Sequence, residues 1–286
     1  MSATTAETAS ATPVPSTTAI VALSDGSDFS WRGVHVAHSL ARTDGLALRI
    51  VEVALLPGDA DMIRDSLQRR VDAELDGVDV TIDVLVQDSS IAATVANHVT
   101  AIAPGTTVVM SSVGRGRSAS VLGSVAEDIL RELHGPLMVV GPSVRNLEIG
   151  AATGQRILVT LDGSTESASA IAVAASWGIE HQMVPWLITV VEGDRDHPDG
   201  AADTYLARTA GDARRLTHHD VEFEVLHGQH PAQAIADYAD ADDVGMIVAT
   251  THGRGGLSRL ALGSTAMSLV HTSPVPVIVV RPPHLR

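Results

Sequence analysis

The sequence predicts an α/β protein built as two tandem doubly wound, Rossmann-like domains, each with a five-stranded parallel sheet. Three observations predict it. Short runs rich in Val, Ile and Leu alternate with segments whose apolar residues recur at helical spacing, the pattern of parallel βαβ crossovers. The same landmarks occur twice: Asp25 returns as Asp162 (162 − 25 = 137), Gly114 as Gly253 (253 − 114 = 139), Gly123 as Gly263 (263 − 123 = 140) and Pro136 as Pro276 (276 − 136 = 140). An offset that drifts by only three residues (140 − 137 = 3) means two copies of one domain of about 140 residues. At 286 residues the chain has room for two ordinary domains.

The expected division is a tail over 1–18, a first domain over 19–145, a linker over 146–155 and a second domain over 156–286. The tail is rich in Ala, Ser, Thr and Pro, without a basic start or an apolar centre, so it reads as a flexible extension and not a secretion signal. In the first copy, residues 19–23 form a strand that ends at Ser24-Asp25-Gly26-Ser27, and 30–42 carry apolar residues at helical spacing. A mostly apolar strand follows at 46–56, as expected where both sheet faces are covered. A charged helix is expected at 59–75, an alternating strand at 78–86, a helix at 91–102 and a strand at 106–110. After a glycine-bearing loop comes a helix at 124–133, whose Ser124 and Glu127 have capping-box spacing, and a last strand at 136–140. The second copy repeats this order, with strands at 156–161, 184–191, 221–226, 244–248 and 275–280. Its helices are expected at 167–177, from about 203 onward, at 231–238 and at 265–271; residues 145–155 lack periodicity.

Composition narrows the function. Hydrophobic residues make up 45% of the chain and aromatics only 2%, so the cores are aliphatic and base-stacking platforms are not expected. A net charge of −15 argues against a nucleic-acid partner, because phosphate backbones call for a basic face. There is no cysteine, which excludes disulfides, thiolate metal sites and a Cys nucleophile. There is also no lysine: all 19 basic residues are Arg. A Walker-type phosphate loop and a Schiff-base enzyme are thereby excluded. No apolar run is long enough to span a bilayer, so a cytoplasmic protein without a membrane partner is the expectation.

The chemistry sits in the glycine loop. In the second copy it reads Ala249-Thr-Thr-His-Gly-Arg-Gly-Gly-Leu-Ser-Arg-Leu-Ala-Leu-Gly-Ser-Thr265, between a buried strand and a helix start. In the first it reads Met110-Ser-Ser-Val-Gly-Arg-Gly-Arg-Ser-Ala-Ser-Val-Leu-Gly-Ser-Val125. Glycine lets the backbone approach a ligand closely, and a helix N-terminus offers free N–H groups and partial positive charge to an anion. Phosphate is the natural candidate. In a doubly wound sheet the ligand lies beyond the carboxyl ends of the strands where strand order reverses. If the first and fourth strands are neighbours there, Asp25 faces the loop across one crevice and could accept from a ribose or base. Its alternative role is an Asx-turn. His252 has two readings, a bond to a backbone carbonyl or a contact with phosphate or ribose. His218, His219, His227 and His230 are not expected to bind metal, since His227 and His230 have no carboxylate at useful spacing.

These residues resemble the universal stress protein family in its tandem form, over everything but the tail and the linker. Nucleotide-binding members carry Gly-x2-Gly-x9-Gly-Ser/Thr. The second copy keeps the spacing as Thr250-x2-Gly253-x9-Gly263-Ser264, with Thr in place of the first glycine. The first copy, Ser111-x2-Gly114-x8-Gly123-Ser124, is also one residue shorter, which could shift its helix start relative to an anion. The family's strand-one aspartate falls on Asp25 and Asp162, its adenine-side valine on Val53 and Val190, and its loop histidine on His252. Val125 and Thr265 follow at the helix starts. The resemblance implies a sheet ordered 3-2-1-4-5, ATP, with or without magnesium, in the crevice, and pairing of the fifth strands. An apolar edge strand invites a neighbour, which supports an internal pseudo-dimer and leaves a homodimer open. A regulatory ATP-binding module is the leading expectation. The alternatives are a slow ATP hydrolase or nucleotidyl transferase, using Arg115, Arg117, Arg254 and Arg259, and a scaffold that binds no nucleotide.

Overall fold

A computed structural model describes residues 16–114, 123–133, 135–149, 154–192, 200–251 and 263–282. The first copy runs β1 (Ala19–Leu23), α1 (Asp28–Asp44), β2 (Leu48–Ala54), a 3-10 turn (Pro57–Asp59), α2 (Ala60–Glu74) and β3 (Val80–Val86). It continues with α3 (Ile91–Ile102), β4 (Thr106–Ser111), α4 (Ser124–Glu132) and β5 (Leu137–Val140). The second runs β6 (Arg156–Thr160), the short α5 (Thr165–Ala168), α6 (Ala170–His181), β7 (Val184–Val191) and α7 (Gly200–Thr217). It ends with β8 (Glu222–His227), α8 (Pro231–Ala241), β9 (Val244–Thr250), α9 (Ser264–Thr272) and β10 (Val277–Val280).

All ten strands join one sheet, ordered β3-β2-β1-β4-β5-β10-β9-β6-β7-β8. Each half therefore has the 3-2-1-4-5 order, with parallel neighbours throughout. At the centre β5 and β10 pair antiparallel, Met138 opposite Ile278. Both strands are four residues long and wholly buried, so the apolar edges cover each other. The outer edges, β3 and β8, carry Thr81, Asp83, Glu222 and Glu224, which discourage further pairing.

Helices cover both faces. One core lies under α1, α2, α6 and α7 and is continuous from Trp31 and Leu40 to Trp177 and Leu206. The other lies under α3, α4, α8 and α9, with Val95, Ile129, Ile235 and Leu269. Serine caps start α1, α3 and α5. Ser27, Ser90 and Ser164 accept from Ser30, Ala93 and Ser167 N–H, each at 3.1 Å.

Several expected boundaries move. The second strand stops at Ala54, whose partner Val86 is the last residue of β3, so Leu55 and Leu56 have no strand beside them and are both 64% exposed. The capping box at Ser124 is not formed: Gly123 occupies the cap position and Ser124 is the first helical residue. The helix expected at 167–177 begins at Thr165 and runs on, after a turn at Ser169, to His181. The end of the tail is fixed: Thr18 N–H donates to Gly105 O at 3.0 Å and Thr18 Oγ1 to Pro104 O at 2.7 Å. Residues 144–149 of the connection are pinned as well. Val144 and Ile149 are buried, Ser39 Oγ receives Ile149 N–H at 2.8 Å, and Arg145 N–H reaches Pro274 O at 3.0 Å. That segment stitches the two halves together.

Candidate functional site

β1 and β4 are neighbours, and the helices that follow them lie on opposite faces of the sheet, α1 on one and α4 on the other. This is the switch point of a doubly wound sheet, where the loops leaving both strands part and leave a cleft. Asp25 lies two residues beyond β1. Its Oδ1 accepts Ser27 N–H at 3.0 Å, an Asx-turn that fixes the carboxylate. Its Oδ2 faces Gly114, where an added Cβ would lie only 2.3 Å away. Asp25 therefore takes the Asx-turn role with one oxygen, while the other meets the glycine loop. A side chain at this position would have to displace the Asp25 carboxylate.

The glycine loop is closed at its base. Gly123 N–H donates to Ser112 O at 3.2 Å, which returns the chain to the end of β4 and aims α4 from there. As the cap residue, with φ −64° and ψ 144°, Gly123 has no side chain to offer the first helical turn. Among the described residues nothing accepts from the N–H groups of Ser124 and Val125, and both residues are exposed. A bare helix start of this kind favours an anion.

The second copy has the same frame. Asp162 Oδ1 accepts Ser164 N–H at 3.0 Å and Ser164 Oγ at 2.5 Å. Gly263 N–H closes on Thr251 O at 2.7 Å, and Gly263 caps α9 with φ −58° and ψ 147°. Ser264 and Thr265 are exposed at the helix start. The one-residue shortening of the first loop thus leaves its helix start in the same relation to the strand as in the second. His252, Gly253 and the loop arginines Arg115, Arg117, Arg254 and Arg259 lie outside the described residues.

Val53 and Val190 are counterparts (190 − 53 = 137), half-buried on β2 and β7 opposite Leu85 and Leu226. Both belong to the sheet face that carries α4 and α9. Ser111 belongs elsewhere. Its hydroxyl accepts Gly33 N–H at 3.0 Å and donates to Phe29 O at 2.6 Å, so it locks α1 onto β4 on the other face. Thr250, its counterpart (250 − 111 = 139), is buried at the end of β9 opposite Val280.

Two residues beside the first cleft escape sequence reasoning. Glu52 is 5% exposed, and its carboxylate accepts Ser24 Oγ at 3.2 Å at the end of β1; the signal was one acidic residue inside an apolar strand. The second copy has Thr189 there (189 − 52 = 137). Ser112, where the loop begins, is buried, and among the described residues its hydroxyl has no hydrogen-bond partner. Among the described residues no group of three or more His, Asp or Glu side chains could hold a metal ion, and no helix is long and apolar enough to cross a membrane.

Residues 154–281 match the model of the universal stress protein family. A universal stress protein of Mycobacterium tuberculosis is 33% identical over 185 residues, which are 61% of this chain and 61% of that protein. The second half belongs to the universal stress protein family, and the first repeats its fold. A solved universal stress protein from Archaeoglobus fulgidus follows the chain with a TM-score of 0.63 at 20% identity, covering 92% of this chain and 98% of that one. A functionally unknown Pseudomonas aeruginosa protein does so with a TM-score of 0.62 at 17% identity, covering 93% of each. Both likenesses are of fold, and they extend over the two domains together.

Proposed function

We propose that this universal stress protein binds ATP in the clefts at Asp25 and Asp162 and serves as a regulatory module in a cytoplasmic stress response. One observation carries the reading: a fixed carboxylate lies against the glycine loop in the cleft that also holds an uncapped helix start. The exposed amides of Ser124 and Val125, or of Ser264 and Thr265, offer N–H groups to phosphate. Asp25 Oδ2, or its counterpart on Asp162, accepts from a ribose hydroxyl, and Val53 or Val190 forms an apolar wall for the base. Thr250, His252 and Gly253 would complete the second site, with any magnesium riding on the phosphates. Ser111 would serve the first site only by holding α1 in place. With no lysine in the chain, main-chain amides and arginine would have to balance the phosphate charge. Such an arrangement suits retention of the nucleotide more than its turnover.

The test starts with protein purified without added nucleotide, denatured, and analysed for released adenine nucleotide by mass spectrometry. ATP is then titrated calorimetrically into the wild type, Asp162→Ala and Gly253→Val, with phosphate release followed over hours. Binding that weakens at least tenfold in both variants, without phosphate release, is the expected result. Absence of both released nucleotide and binding heat in the wild type would overturn the proposal. Phosphate release abolished by Asp162→Ala would make the protein a hydrolase.

A further inference from the structure

The two copies meet each other at their own counterparts. Met138 faces Ile278 in the β5–β10 ladder, and these positions are equivalent in the repeat (278 − 138 = 140). A residue meets its own counterpart only on a twofold axis, so the pseudo-twofold of the chain passes through this pair. Both side chains point into the core under α1 and α6. The same two helices meet at their last residues, Asp44 and His181, which are also counterparts (181 − 44 = 137). The helices end alike, in left-handed residues at Gly45 (φ 66°) and Gln182 (φ 55°), so the equivalence is structural as well as numerical.

At this second point on the axis the repeat is broken chemically. Asp44 Oδ1 lies 3.4 Å from His181 Nδ1, with side-chain exposures of 11% and 0%. Among the described residues neither ring nitrogen of His181 has a hydrogen-bond partner, and the Trp177 ring lies against the imidazole with centroids 4.7 Å apart. Among the described residues the other charged group acting on the pair is Glu180, whose carboxylate receives Thr17 N–H at 2.8 Å and Thr17 Oγ1 at 3.2 Å. Burial pushes the Asp44 carboxyl above its usual range; His181 pulls against that shift and Glu180 adds to it.

We infer that Asp44 and His181 form a recognition pair that makes the first copy accept the second and penalises pairing of like with like. Two first copies joined through their fifth strands would bring two carboxylates together at this buried point, and two second copies would bring two imidazoles. Buried like groups disfavour each other's charged form, whereas a carboxylate and an imidazolium support each other. An interface becomes selective when the wrong pairing is made costly as well as the right one favourable. The surface concerned is the axial seam of α1 and α6, and the partner it fits is the unlike copy of the same fold.

The two like-with-like pairings can be built inside the full-length chain. His181→Asp sets Asp against Asp, Asp44→His sets His against His, and the double variant D44H/H181D restores an unlike pair in reversed order. Thermal unfolding is followed at pH 6 by circular dichroism. His181→Asp should lower the midpoint by about 5–10 °C, as expected for a buried group left against a like charge. The double variant should recover at least half of that loss. A double variant that melts at or below the sum of the two single losses would overturn the inference, since the residues would then act by packing alone. If His181→Asp fails to fold, the cycle of Asp44→Asn, His181→Asn and the double replaces it. Non-additive losses support the pair, and additive losses overturn it.

Discussion

Gly141, the residue after β5, lies where the first copy touches the second. A Cβ added there would fall 1.8 Å from the carbonyl oxygen of Val270 in α9 and 3.0 Å from its carbonyl carbon. Carbon and oxygen rarely approach closer than about 3.3 Å, so Gly141→Ala must open roughly 1.5 Å between the end of β5 and α9. Neither side can yield by rotating a side chain, because the obstacle is backbone and Val270 is 0% exposed. The displacement would also pull on the Ser143 hydroxyl, which donates to His271 O at 2.6 Å. Overpacking typically costs about 1–3 kcal/mol, and a backbone obstacle places this case near the upper end. At roughly 2–4 °C per kcal/mol for a chain of this size, about 3 kcal/mol becomes a fall of about 6–12 °C in the thermal midpoint. Gly58→Ala is the matched control, since a Cβ there meets nothing within 4 Å. If Gly141→Ala melts within about 1 °C of that control, the two halves do not meet as described.

Other substitutions follow from single contacts. Ser90→Ala removes the hydroxyl that caps α3 and should cost about 1 kcal/mol in urea unfolding. Tyr238→Phe removes a hydroxyl that bridges Arg156 and Glu224, each at 2.8 Å, and should cost about 1–2 kcal/mol while leaving the far-ultraviolet spectrum unchanged. Burial raises the Asp83 carboxyl, but hydrogen bonds from Arg49 and His98 outweigh it and leave the group below its usual range. The stability that Asp83 contributes is therefore present above its unfolded value of 3.8 and is lost as the pH falls through its lower folded value. Asp83→Asn should flatten that acid limb in urea titrations from pH 2 to 7. Asp44, raised by burial, has the opposite sign, favouring the fold in acid and less so as the pH rises through its folded value.

What could be read from the sequence was what repeats. The offsets at Asp25, Gly114, Gly123 and Pro136 paired the copies because turns and loop ends keep their residues for backbone reasons. The placement of Asp25 against Gly114 followed from putting both at the ends of neighbouring strands. Boundaries failed where a distant partner decides them. Leu55 and Leu56 look like strand residues, but β3 ends too early to receive them. Ser124 has the right spacing for a cap, yet Gly123 takes the position because its N–H is bound to Ser112 O. Ser111 aligned with a motif glycine while its hydroxyl went to α1 on the far side of the sheet. Glu52 was hidden by its apolar neighbours, and the contact of Asp44 with His181 has no local signature.

The antiparallel union of β5 with β10 decides where the two clefts open. Parallel strands in one half run against those in the other, so their carboxyl ends leave the sheet at opposite poles of the molecule. Anything that docks over the mouth at Asp25 leaves the mouth at Asp162 uncovered. One ten-stranded sheet thus presents one mouth at each pole.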